Sequence, residues 1–272
     1  MPKAKIREPQ LTRFQQMQIE QPWCVYCGGT TPGTSADHGP PRIAFNAKRR
    51  PKGLEFMSCD DCADGSRRVD QVAALFARFY SVTPGNSEHR REIGKLFRGI
   101  ANNEPEVLKE MQVEKVLRDA DHPVRKSFPA AKAVFTFGPI AASYIAAFGA
   151  RLALALHYEK THQIVPRTGG VCAFSRSNNT LVEEGVPDQF IQLLGPPEAL
   201  EQGKFSARDQ FEYASRVEDN GARSAHFIAF RLSFAIQAFV VRDFTEVAKF
   251  VGVAPHNVFR PGFLKNWQSP FI

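Results

Sequence analysis

The stretches "CVYCGGTTPGTSADHGPPR" (Cys24–Arg42) and "SCDDCADGSRRVD" (Ser58–Asp70) set the terms for everything around them. Each holds a Cys-x-x-Cys pair, and 31 residues separate Cys27 from Cys59. A Cys-x-x-Cys turn aims two thiolates at one point, and two such turns complete the tetrahedron that Zn²⁺ prefers. Disulfides are the competing explanation, but no secretory leader is read in "MPKAKIREPQLTRFQQMQIEQP" and cytosolic thiols stay reduced. A redox pair accounts for one knuckle and not for two around a loop. Cys24, Cys27, Cys59 and Cys62 are therefore expected to hold a structural zinc, since a closed four-thiolate site leaves no open coordination position. Cys172, alone in "GGVCAFS", is expected to be a buried small hydrophobe.

The chain has 272 residues, 43% apolar and 23% charged, enough for one large domain or two small ones with a real core. Its 23 phenylalanines fall mostly beyond residue 70, which predicts an aromatic-rich core downstream of the cysteines. A net charge of +7 and a pI near 9.3 suit an anionic partner, nucleic acid first. Between Cys24 and Asp70 seven basic residues stand against six acidic ones, but the basic ones cluster. Lys48, Arg49, Arg50 and Lys52 form the run "KRRPK" (48–52), Arg42 precedes it, and Arg67 and Arg68 make a second cluster; all seven are candidate phosphate contacts. Residues 133–150 carry no charge, yet Gly138, Pro139, Ser143 and Tyr144 and a high alanine content argue for a buried strand-turn-helix over a membrane span. The expected location is the cytoplasm.

Residues 1–22 read as an extended or partly helical arm. After the second knuckle, Val69, Val72, Leu75, Phe76 and Phe79 recur at helical spacing, with Asp64 or Ser66 as the expected N-cap. "SVTPGNSE" (81–88) is a break, and amphipathic stretches follow at 87–101 and 104–118. Pro139 opens a long helix. Beyond Pro166 the runs are β-rich, and "DNG" (219–221) signals a hairpin. The tail "FRPGFLKNWQSPFI" reads as irregular. Phosphate-loop, nucleophile-elbow and dinucleotide fingerprints are missing from the sequence, as is any internal repeat.

"CVYCG" (24–28), "ADHGPPRIAF" (36–45) and "SCDDC" (58–62), running on into a helix, resemble the HNH endonuclease family. The likeness is to members in which two Cys-x-x-Cys knuckles flank the ββα-metal motif, and it covers about 50 residues at 23–72. The resemblance implies His38 as the general base that activates water against a phosphodiester and Asp37 as a ligand of a catalytic Mg²⁺ or Mn²⁺. A neutral imidazole can take that proton, and a hard cation with oxygen ligands stabilises the developing charge. The chain departs from the family pattern where a second metal ligand, His or Asn, follows the last knuckle cysteine: here that residue is Ala63. The middle Asn has no counterpart in "PKGLEFMSC". Asp64 or Asp70 are the candidate substitutes, against plainer roles as a helix cap and a solvated helix residue.

The expected fold is α+β, with a small zinc-bearing ββα unit followed by helices and a C-terminal region with antiparallel strands. The expected division is an arm at 1–22, a zinc unit at 23–80, a helical connector at 81–128 and an α+β region at 129–272. The expected function is metal-dependent hydrolysis of nucleic acid, DNA favoured, with no membrane partner. The alternative is an inactive HNH-derived zinc module that binds nucleic acid or a protein. A third reading puts the function in the region beyond residue 130. His122, in "ADHPVRK", is read as a surface residue, and His157 and His162 as helix residues that do not share a face.

Overall fold

A computed structural model of the chain describes residues 11–79, 87–111, 138–177, 192–230 and 233–272. The first ten residues, the break at 81–86, the end of the second amphipathic stretch and His122 lie outside the described residues. Thr12 caps α1 (Arg13–Glu20) through a reciprocal capping box with Gln15. Strands β1 (Ser35–His38) and β2 (Glu55–Ser58) pair antiparallel, with Asp37 opposite Phe56 and His38 opposite Glu55. The chain then enters α2 (Asp60–Phe79) directly. This helix starts a turn earlier than its apolar spacing suggests. Asp60 and Asp61 fill the first turn, where the helix dipole favours negative charge, and Asp64 and Ser66 lie inside the helix rather than capping it. Helices α3 (Ser87–Asn103) and α4 (Pro105–Met111) bury Ile93, Leu96, Ile100, Val107 and Met111.

Helix α5 (Pro139–Thr161) opens on Pro139 and is apolar on every side, as a helix enclosed by other elements must be. It is long and apolar enough to cross a membrane, but 83% of its most apolar window is buried inside the fold. The layer on which it packs is a six-stranded antiparallel sheet. Its order is β10 (Val258–Phe259), β3 (Gly170–Ser177), β9 (Phe234–Val241), β8 (Arg223–Phe230), β7 (Glu212–Val217) and β4 (Glu198–Ala199), while β5 (Glu201–Gln202) and β6 (Phe205–Ser206) pair apart from it as a two-stranded ribbon. The β7–β8 hairpin turns over Asp219–Asn220–Gly221 as its sequence signals, with Gly221 at φ +66°. Gly149 permits the closest approach of α5 to the sheet: a Cβ there would lie 2.5 Å from Ile236. One continuous core runs from Cys24 and Tyr26 through α2 and α5 to Phe230, Ile236 and Leu264. Cys172, fully buried on β3, packs with Val241 and Val247 of α6 (Thr245–Val251). The tail is less irregular than it reads, since Phe263–Asn266 form a short 3₁₀ turn that seats Leu264 against α2.

Between α5 and the sheet runs a buried polar chain. His157 Nδ1 meets Ser224 Oγ at 2.8 Å, Ser224 Oγ meets His226 Nε2 at 2.8 Å, and His226 Nδ1 meets Ser215 Oγ at 2.9 Å. His157 is fully buried, while His162 sits at the left-handed C-cap of α5 and is exposed. Burial drives the His157 imidazole down to about 4 and the His226 imidazole down to about 3. Both rings are neutral in the fold, whereas the unfolded chain protonates them below about pH 6.5. Their contribution is full above that pH and is lost as pH falls towards 4, by up to ~1.4 kcal/mol per pH unit for each ring. Urea unfolding at about pH 7 and about pH 5 should show His157→Gln losing less stability than the parent over that interval. Equal losses would mean that His157 is protonated in the fold.

Candidate functional site

The four knuckle cysteines are buried and their Sγ atoms all lie within 4.8 Å of one another. A zinc ion with Zn–S bonds of about 2.3 Å holds its sulfurs roughly 3.8 Å apart, so the donor set fits Zn²⁺ in both chemistry and spacing. The first knuckle is closed by Cys24 N–H donating to Thr31 O at 2.9 Å and by left-handed Gly28, φ +78°. Only glycine fits there, because a Cβ would also lie 2.8 Å from the Arg167 nitrogen. In the second knuckle Cys59 ends the β2–α2 junction and Cys62 stands in the first turn of α2. Hydrogen bonds among the thiols split their acidities: the bond with Cys27 and burial push Cys24 up to about 12, while the same bond draws Cys27 well down.

Asp37 and Asp70 converge, but on an arginine. Arg151, mid-helix in α5 and fully buried, donates through Nη2 to Asp37 Oδ2 and through Nη1 to Asp70 Oδ1, the latter at 2.6 Å. Tyr26, between the first two cysteines, donates its hydroxyl to the same Asp37 oxygen and lies under the guanidinium, 5.4 Å from ring centroid to Cζ. Burial works against the Arg151 charge, but Asp37 and then Asp70 outweigh it and hold its pKa above the usual arginine value. Burial also pushes the Asp70 carboxyl up while Arg151 pulls against it. Asp70 is thus not a solvated helix residue. These two carboxylates do not fit a Mg²⁺ or Mn²⁺, because a cation fixed to α5 already lies between them. Asp64 does not join them: it is exposed and paired with Arg67 at 2.9 Å.

His38 is half-buried on β1, and its Nδ1 is buried without a hydrogen bond. Burial, and after it the nearby Arg50 charge, lower its pKa, so the ring is neutral at neutral pH. Glu55, across the hairpin, is paired with Arg13 at 2.8 Å.

Of the expected phosphate contacts, Arg50 is withdrawn from solvent. Its guanidinium donates to the carbonyls of Pro40, Pro51, Gly39, Gly53 and Leu54 at 2.6–3.2 Å, pinning the loop between β1 and β2. Burial lowers its pKa to about 10. Arg67 is paired with Asp64, and Arg68 reaches Glu104 at 3.3 Å. Arg42, Lys48, Arg49 and Lys52 are exposed and make no ion pair among the described residues. Their loop is held rigid from outside: Asn46 N–H donates to Gln210 Oε1 at 2.8 Å and Ala47 N–H to Glu92 Oε2 at 3.2 Å. Ala47 and Lys48 are both left-handed, at φ 50° and 55°, a strained geometry that such clamps sustain.

The residues that sequence reading passed over are Arg151 and Tyr26. The available signal was a lone arginine in an otherwise uncharged helical run, since a buried charge demands a buried partner.

Removing bound metal with a chelator, or substituting Cys24→Ser, should release stoichiometric zinc and lower the melting temperature; protein purified without zinc and equally stable would refute the four-thiolate site. Arg151→Leu strands two buried carboxylates and should cost roughly 3–5 kcal/mol in denaturant unfolding, against under about 1 kcal/mol for exposed Arg42→Leu. Compared with protein families, curated proteins and solved structures, the chain has no match, so the reading of this site rests on its own contacts.

Proposed function

We propose that the knuckles, the β1–β2 hairpin and α2 form an HNH-like ββα zinc module that binds nucleic acid, DNA in the first instance, without cleaving it. The observation that carries this reading is the Arg151 guanidinium seated between Asp37 and Asp70, where a hydrolytic centre would need its divalent cation. Ala63 follows the last cysteine, and the two candidate substitutes are engaged elsewhere, Asp64 with Arg67 and Asp70 with Arg151. The binding half of the proposal draws on Arg42, Lys48, Arg49 and Lys52, four exposed cations near a clamped loop on a chain of net charge +7. Cations presented on a rigid loop meet phosphates without first losing backbone entropy.

His38 favours a second reading, in which the module cuts. Its neutral ring is competent as a general base, and its Nδ1 accepts or donates no hydrogen bond in the fold. The two readings separate in one experiment. Plasmid and single-stranded DNA are incubated with purified protein and Mg²⁺ or Mn²⁺, beside His38→Ala and an EDTA control, while gel shifts are run over a salt series.

The expected outcome is no metal-dependent nicking together with a salt-sensitive shift. In the Lys48→Gln/Arg49→Gln/Lys52→Gln variant, the slope of log K against log salt should shrink by about 2–3, at roughly 0.9 per lost phosphate contact. Metal-dependent nicking that disappears in His38→Ala would replace this proposal with the hydrolytic one. An unchanged salt slope in the triple variant would remove the loop from the interface.

A further inference from the structure

A cavity of about 330 Å³ opens between α2, the α3–α4 junction, α5 and the tail. Arg68, Glu104, Pro105, Tyr144, Trp267 and Ile272 are among its walls. That volume lies at the lower end of the range for small-molecule clefts. Glu104 lies at the α3–α4 junction, and its side chain is 7% exposed. The Tyr144 hydroxyl donates to its Oε2. Its Oε1 is buried and accepts no hydrogen bond; Arg68 Nε stands 3.3 Å away, on a side chain that is 58% exposed, without making one. Tyr144 and Trp267 meet edge to face with centroids 4.7 Å apart. Glu106, the other acidic residue of the wall, is 40% exposed and paired with Lys109, so the buried acidic group of the cavity is Glu104.

These features select a ligand class. A buried carboxylate oxygen that accepts no hydrogen bond, and whose ion partner among the described residues is the exposed Arg68, has room for an N–H donor, and its charge favours a cation. Aromatic faces attract a cation as well, and Pro105 and Ile272 offer apolar contact to a short alkyl chain. An anion meets the reverse field. We propose that this cavity is a binding site for a primary alkylammonium group, its nitrogen donating to Glu104 Oε1 and its chain lying against Trp267. The group can arrive on a free amine or on a lysine side chain, and the chemistry is the same for both.

The test reads Trp267 directly. The chain has two tryptophans, so in a Trp23→Phe background Trp267 is the single fluorophore. The full chain is titrated with butylammonium, with an end-blocked Gly-Lys-Gly peptide, and with butanol as the uncharged control. Saturable quenching is expected from the amine, the peptide or both, and which of them binds identifies the source. Glu104→Gln, which keeps an acceptor for Tyr144, should weaken binding by about tenfold or more, the scale of a lost charge-assisted hydrogen bond. Arg68→Ala, at an exposed position that leaves the core intact, should tighten binding several-fold by removing the competing cation. Absence of quenching by both amines, butanol binding as well as butylammonium, or looser binding in Arg68→Ala would each overturn the proposal.

Discussion

Burial of a single guanidinium dictates how the elements around α5 are arranged. Arg151 lies in a helix packed on all sides, and an unpaired charge there would cost several kcal/mol. Its two carboxylate partners come from different elements: Asp37 from β1 and Asp70 from α2. Tyr26, from the first knuckle, completes the shell and shares Asp37. The ion pairs therefore fix the relative placement of hairpin, helix and first cysteine knuckle on α5. Such a network is weak evidence for net stability, because apolar residues in its place could pack as well. Its effect is on register, since sliding α5 by a single turn would leave three charges unmatched.

The four-cysteine cluster and this network share a boundary. Tyr26 is enclosed between Cys24 and Cys27, so the turn that brings two thiols to the cluster also aims a phenol at Asp37. Arg50 supports the same hairpin from the opposite end by gathering five carbonyls of a loop that has too few backbone partners of its own. Both devices hold in place a short hairpin that two four-residue strands could not maintain alone.

What the sequence made legible was local. Cys-x-x-Cys spacing, the "DNG" turn, Pro139 at a helix start and the apolar period of α2 each depend on residues a few positions apart, and each appears in the fold. The contacts that were not legible span long separations: Arg151 to Asp37 across 114 residues and to Asp70 across 81. A lone arginine in an apolar helix announces that a partner exists but not which carboxylate it is. Asp70 read as solvated because its neighbours Arg67 and Arg68 are polar, although its own position lies on the buried face of α2 with Val69 and Ala73. Arg50 read as one more cation in "KRRPK", since composition cannot tell a guanidinium facing water from one facing carbonyls.

The Asp-His pair changes meaning in this light. Asp37 has a structural partner on each side, Arg151 and Tyr26, so its presence is accounted for by contacts within the fold. The His38 carbonyl is also approached by Arg151, at 3.4 Å, which places its backbone in the same framework. Its imidazole is different: half-buried, held neutral by burial and Arg50, with Nδ1 unbonded, it contributes nothing that another side chain of similar size could not. A fold that depended on Arg151 alone would constrain Asp37 and leave position 38 open. His38 is therefore the residue at which structural necessity ends. The choice between binding and cutting turns on what reaches that ring from solvent, because the carboxylates beneath it are already committed to Arg151.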